Sequence, residues 1–119
     1  MGKRILYVED LEDWRSLVSA SLSSEGFQVV AVKDASEAMQ ACDGSIFNLV
    51  LLDLRLQNES GIMLMRFLKH NHPDIPILLY TGMDHDDITI DLLLKEGASG
   101  YLHKGSMEEL LKRVRSMIP

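Results

Sequence analysis

The chain has 119 residues, 46% hydrophobic and 25% charged, with 18 acidic against 12 basic side chains and a net charge of −6. That length suits the core of one domain, residues 1–119, and the acidic balance argues against a direct nucleic-acid surface while leaving room for a cation. Cys42 is the single cysteine, so no internal disulfide can form and a reducing compartment is expected.

The start, "MGKRILYVED", has an apolar stretch of only Ile5 to Val8, too short for a signal peptide. Leu6 also stands where a myristoylation pattern needs Ser or Thr. No run approaches a membrane span, so the expectation is a cytoplasmic protein with no membrane partner. "RILYV" reads as the first strand, and Trp14, Leu17, Val18 and Leu22 form the stripe of a first helix that stops before Gly26. "FQVVAV" is the second strand. "DASEAMQAC" follows as a helix that turns Ala38, Met39 and Cys42 inward.

"LVLLD" is the third strand, a four-residue apolar run that ends on the carboxylate of Asp53. "SGIMLMRFLKH" is the third helix, running from Ser60 to a stop at Pro73. "IPILLYTG" supplies the fourth strand and "DDITIDLLLKEG" the fourth helix, closed by Gly97. "GYLHKG" is the fifth strand. The fifth helix opens on a capping box, Ser106 with Glu109, and gathers Leu110, Leu111, Val114 and Ile118 on one side. Continuous rather than alternating apolar runs suit parallel strands covered on both faces. The pattern is (βα)5, an α/β fold with a doubly wound parallel sheet of five strands.

Sheets of this kind bind ligands beyond the carboxyl ends of their strands. There the sequence places Glu9 and Asp10 after strand one, Asp53 after strand three, Thr81 after strand four and Lys104 after strand five. Singly, each has an ordinary explanation: helix-start acids, a turn residue beside Gly82, a surface lysine. Together they do not, because two carboxylates about 5 Å apart at an effective dielectric of about 20 repel by about 3 kcal/mol. A compensating cation is implied, and oxygen-only ligands suit Mg²⁺, held by Asp10 and Asp53 directly and by Glu9 directly or through water. His70, His72, His85 and His103 form no zinc-like cluster. Thr81 and Lys104 would then face the remaining oxygens of a phosphoryl group, and Asp53 is a competent nucleophile toward phosphorus.

These residues resemble the receiver domain of two-component response regulators over nearly the whole chain. The acidic pair after strand one, Asp53, "YTG" and "GASGYLHK" carry the resemblance. It implies a flavodoxin-like sheet of order 2-1-3-4-5, Asp53 as phosphorylation site, and Asp10 with Glu9 as the Mg²⁺ pocket. It further implies the Arg55 main-chain carbonyl as a metal ligand, Lys104 as phosphoryl partner, Thr81 as switch hydroxyl and Tyr101 as switch aromatic. The implied donor is a phosphohistidine on a sensor histidine kinase or phosphotransfer protein, and the domain promotes its own phosphorylation and dephosphorylation without being an enzyme for another substrate. Three positions depart from the family pattern: Gly105 replaces the Pro after Lys104, Gln57 replaces a Pro after Asp53, and Glu9 replaces an Asp.

In the fourth helix Ile88, Ile90, Leu92, Leu93 and Leu94 cannot share one side at 100° per residue. Either this helix is wedged deeply into the core, or the face of helix four, strand five and helix five meets a second copy or an output partner, a protein rather than DNA. A receiver-like domain that only binds, without phosphorylation, is the alternative function. A flavin domain is disfavoured because Glu9, Asp10, Glu12 and Asp13 would repel its phosphate. An aspartyl-nucleophile phosphatase would need a second Asp where Arg55 stands.

Overall fold

Five short apolar segments pair side by side because each offers a full row of backbone donors and acceptors and no charge in its interior. In the computed structural model, which describes residues 2–56 and 59–118, they are β1 (Arg4–Val8), β2 (Gln28–Val32), β3 (Leu49–Leu52), β4 (Ile77–Thr81) and β5 (Gly100–His103). They form one parallel sheet in the order β2-β1-β3-β4-β5, the order that the resemblance implies. Tyr7 stands beside Leu51, Val50 beside Ile77, and Leu79 beside Tyr101. Gln57, one of the three departures, lies outside the described residues.

The helices are α1 (Glu12–Ser24), α2 (Ala35–Cys42), α3 (Gly61–Asn71), α4 (Asp87–Lys95) and α5 (Met107–Met117). Strand alternation sorts the core into two layers. Leu6, Val8, Val50, Leu52, Ile77 and Leu79 meet α2, α3 and α4 through residues such as Leu64, Leu68 and Leu93. Ile5, Tyr7, Leu49, Leu51, Leu78 and Tyr80 meet α1 and α5 through Val18, Leu22, Leu110 and Val114. Burial on both faces holds for β1, β3 and β4. At the sheet margins it fails: Gln28 and Ala31 of β2 and His103 of β5 are exposed.

Two residues expected inward face out. Leu17 is 52% exposed, because it sits 100° round the helix from Val18 and only one of the two can point at the sheet. Met39 is 37% exposed on the two-turn α2, whose inward positions Ala35, Ala38 and Cys42 already close against the sheet. The caps follow the side-chain chemistry. Asp34, Ser60, Asp86 and Ser106 each accept the N–H three residues on. Gly97, at φ +130°, closes α4 with its N–H on the Leu94 carbonyl and the Ala98 N–H on the Leu93 carbonyl.

A two-residue antiparallel ladder, Arg55–Leu56 with Glu59–Ser60, was not legible from periodicity. It delivers the chain to Gly61, whose N–H donates to the Leu54 carbonyl at 3.1 Å. A side chain at Gly61 would stand 2.5 Å from Leu54 Cα and 2.7 Å from the Asp53 carbonyl oxygen. Gly61→Ala should therefore cost about 2 kcal/mol or more by urea denaturation, since backbone and not a flexible side chain is in the way. An unchanged midpoint would contradict this close approach. After β5, α5 returns to the strands' starting edge, where Met117 Sδ comes within 3.8 Å of where a Gly100 side chain would stand.

Candidate functional site

The parallel ladder runs one residue past three strands, and those residues carry the chemistry. The Glu9 N–H donates to Val32 O at 3.0 Å, the Asp53 N–H to Val8 O at 3.1 Å, and the Lys104 N–H to Thr81 O at 2.7 Å. Glu9, Asp53 and Lys104 thus start from backbone that the sheet holds in place. Arg15 of α1 adds a clamp, its Nη1 donating to the Glu9 carbonyl at 2.9 Å.

Glu9 and Asp53 are buried, Asp10 is half-buried, and one carboxylate oxygen of each lies within 4.8 Å of the others. The Lys104 ammonium bridges two of them, 2.5 Å from Glu9 Oε1 and 3.0 Å from Asp53 Oδ2. It rests 5.1 Å from the centre of the Trp14 ring, which in turn meets Tyr80 edge-on. Asp53 Oδ1 accepts the Arg55 N–H at 3.0 Å.

Glu9 Oε1 also accepts the Tyr7 hydroxyl at 3.1 Å, and Oε2 accepts the Leu11 N–H at 3.3 Å. Burial, reinforced by Asp53 and only partly offset by Lys104, pushes Glu9 up to about 7. Burial works against the Lys104 ammonium, but Glu9 and Asp53 outweigh it and hold the lysine above its ordinary value. Burial, followed by the charge on Glu9, raises Tyr7 as well and keeps its hydroxyl a donor.

The structure brings Glu9, Asp10, Asp53 and Lys104 together. Thr81 is fully buried at the end of β4, and its hydroxyl accepts the Met83 N–H at 3.2 Å. Tyr101 lies farther out: its hydroxyl donates to the Met83 carbonyl at 3.1 Å and stands 2.7 Å from His85 Nδ1. The described peptide bonds are all trans, Lys104–Gly105 included, and Lys104 still reaches Asp53. A cleft of about 320 Å³ opens in front of Asp53 between Leu11, Trp14, Arg55, Gly82 and Met83.

Sequence reasoning gave Tyr7 no role, set His85 aside with the other histidines, and did not place Trp14 against Lys104. Tyr7 had a signal: it is two residues before Glu9 in a strand, so both side chains share a face. His85 had none, because its contact depends on how the loop after Thr81 turns. Three clustered carboxylates with no sulfur or imidazole fit a hard divalent cation such as Mg²⁺.

No helix among the described residues is long and apolar enough to cross a membrane. On α4, Leu93 is buried while Ile88 and Leu92 are 73% and 55% exposed, so the helix is not wedged wholly into the core.

The family model for the response regulator receiver domain matches residues 5–115. The transcriptional regulatory protein GltR of Pseudomonas aeruginosa is 35% identical over 98% of this chain and 49% of its own length. The CAI-1 autoinducer sensor kinase/phosphatase CqsS of Vibrio cholerae is 30% identical over 92% of this chain, which corresponds to 16% of that protein. The chain therefore spans half or less of these relatives. The chemotaxis protein CheY4 of Vibrio cholerae shares the fold, with a TM-score of 0.91 at 23% identity over 99% of this chain and 100% of its own. A five-stranded sheet in this order, an acidic cluster bridged by a lysine at its carboxyl edge, and a family match over nearly its full length make this chain a member of the response regulator receiver domain family.

Proposed function

We propose that residues 1–119 act as one phosphoacceptor domain in a cytoplasmic two-component phosphorelay, with Asp53 taking a phosphoryl group from a phosphohistidine. The observation that carries the reading is the Lys104 ammonium 3.0 Å from Asp53 Oδ2, beside carboxylate oxygens grouped within 4.8 Å. An Asp53 oxygen attacks phosphorus as the P–N bond to the donor imidazole breaks, and the electron pair of that bond returns to the ring nitrogen. Lys104 pairs with one phosphoryl oxygen and the Thr81 hydroxyl turns from Met83 to donate to another. Asp10, Asp53, Glu9 and the Arg55 carbonyl would hold Mg²⁺, which supplies neutralisation of the charge developing on the phosphoryl oxygens.

The donor is a sensor histidine kinase or a phosphotransfer protein. Movement of Thr81 frees the Met83 N–H, and Tyr101, bound to the same residue's carbonyl, responds. That response alters the face of α4, β5 and α5, whose exposed Ile88 and Leu92 suit a second copy or a protein output partner.

Intact-protein mass after incubation with acetyl phosphate and Mg²⁺ tests the reading. Wild type should gain one phosphoryl group, lose that gain in chelator, and Asp53→Asn should gain none. A wild type that binds Mg²⁺ yet stays unmodified with both acetyl phosphate and phosphohistidine donors would overturn it in favour of a domain that only binds.

A further inference from the structure

Tyr7 lies wholly inside the apolar layer between β1 and helices α1 and α5, where a phenylalanine would fill the same space. A hydroxyl there costs free energy unless it is bonded, and its partner is Glu9 Oε1. That oxygen is also the one nearest Lys104, closer to the ammonium than Asp53 Oδ2 is. With the Leu11 N–H on Oε2, three donors meet the two oxygens of a carboxylate that has no exposed surface. Three bonds in different directions leave the carboxylate one orientation. The extra methylene of Glu9, relative to an aspartate, lets it reach the tyrosine and the lysine at once.

We propose that Tyr7 is a positioning residue for phosphoryl transfer, its hydroxyl fixing Glu9 as the buried anchor that holds the Lys104 ammonium against Asp53. This rests on the phosphoacceptor reading for its rate effect, but the anchoring of Lys104 is a property of the protein at rest. Without the hydroxyl, Glu9 Oε1 loses one of its two donors, and Lys104 loses the fixed partner that sets its place beside Asp53. The effect belongs to the tyrosine and the glutamate as a pair. Aspartate at position 9 is one methylene shorter, so it should not hold the Tyr7 hydroxyl and Lys104 at once, and the hydroxyl should then have little to position.

A double-mutant cycle tests this with wild type, Tyr7→Phe, Glu9→Asp and the double variant. At saturating Mg²⁺ and acetyl phosphate, Tyr7→Phe should slow phosphoryl uptake about tenfold, the scale of one hydrogen bond to a charged group, with little change in half-saturating donor. In the Glu9→Asp background the same substitution should change the rate less than about twofold. Emission from Trp14, the chain's single tryptophan and the ring under Lys104, is the second readout and needs no phosphorylation. Its wavelength should shift with Tyr7→Phe in wild type and not in the Glu9→Asp background. Equal effects in both backgrounds, or none in either, would overturn the proposal by reducing Tyr7 to packing. If wild type takes no phosphoryl group, the phosphoacceptor reading fails, and the Trp14 cycle alone decides whether Tyr7 anchors Lys104 through Glu9.

Discussion

Lys104→Met is expected to lower stability at neutral pH by about 3 kcal/mol, roughly 10 °C in melting temperature, and to slow phosphoryl uptake at Asp53 at least 100-fold. The stability loss follows from where the ammonium sits. Its side chain is 6% exposed and lies between a Glu9 side chain at 0% and an Asp53 side chain at 4%. Methionine fills similar volume and keeps the contact with Trp14, so the change removes charge rather than packing. Two buried carboxylates then face each other with no cation between them. They relieve the repulsion by keeping a proton, which costs less than leaving both charged but more than the native pair. Mg²⁺ should repair part of the damage, because a divalent ion at the same carboxylates binds the folded chain and not the unfolded one. Thermal melts with and without Mg²⁺ check this: the ion should raise the variant's melting temperature more than the wild type's. Equal shifts would mean that the ion and the lysine do not share carboxylates.

The second large effect is on pH dependence, and it turns on Glu9. Its folded value is raised from 4.5 to about 7, first by burial and then by Asp53, so the folded protein keeps a proton that the unfolded chain releases. The stabilisation from that retained proton is fully present below pH 4.5 and is lost as pH rises through about 7. Glu9→Gln carries no proton to lose, so in chelator its stability relative to wild type should climb between those limits and then level off. Urea denaturation at a series of pH values measures the difference directly. Parallel curves for the two proteins would exclude a raised Glu9. Saturating Mg²⁺ should flatten the wild-type slope, since the ion competes with the proton for the same cluster.

Much of this arrangement is legible in the sequence. Apolar runs marked β1, β3 and β4 because the middle of a covered sheet needs no polar face. Asp53 stood out because a carboxylate at the end of a buried apolar run is costly unless something pairs with it. The margins were harder. Gln28 and Ala31 belong to a strand with one neighbour, and the run "FQVVAV" gives no sign of which residues reach solvent. Leu17 and Met39 face out because a helical stripe is wider than the surface it covers, and only the sheet decides which edge of the stripe is used. The link between Tyr7 and Glu9 follows a period that any strand obeys, yet its value depends on Lys104 arriving from nearly a hundred residues away. Contacts of the loop after Thr81, such as His85 with Tyr101, had no local signal at all.

The return of α5 to the edge where the strands begin has a practical side. Gly2 precedes β1 and Ile118 follows α5, so both lie at the end of the molecule opposite the acidic cluster. A tether joined near either residue leaves that end facing the support. Chain immobilised on a sensor chip or bead by either route would present the open cleft over Asp53 to solution, unobstructed by the linker. Binding kinetics with a donor protein can therefore be measured from both attachment points, and agreement between them would separate true association from an artefact of the surface.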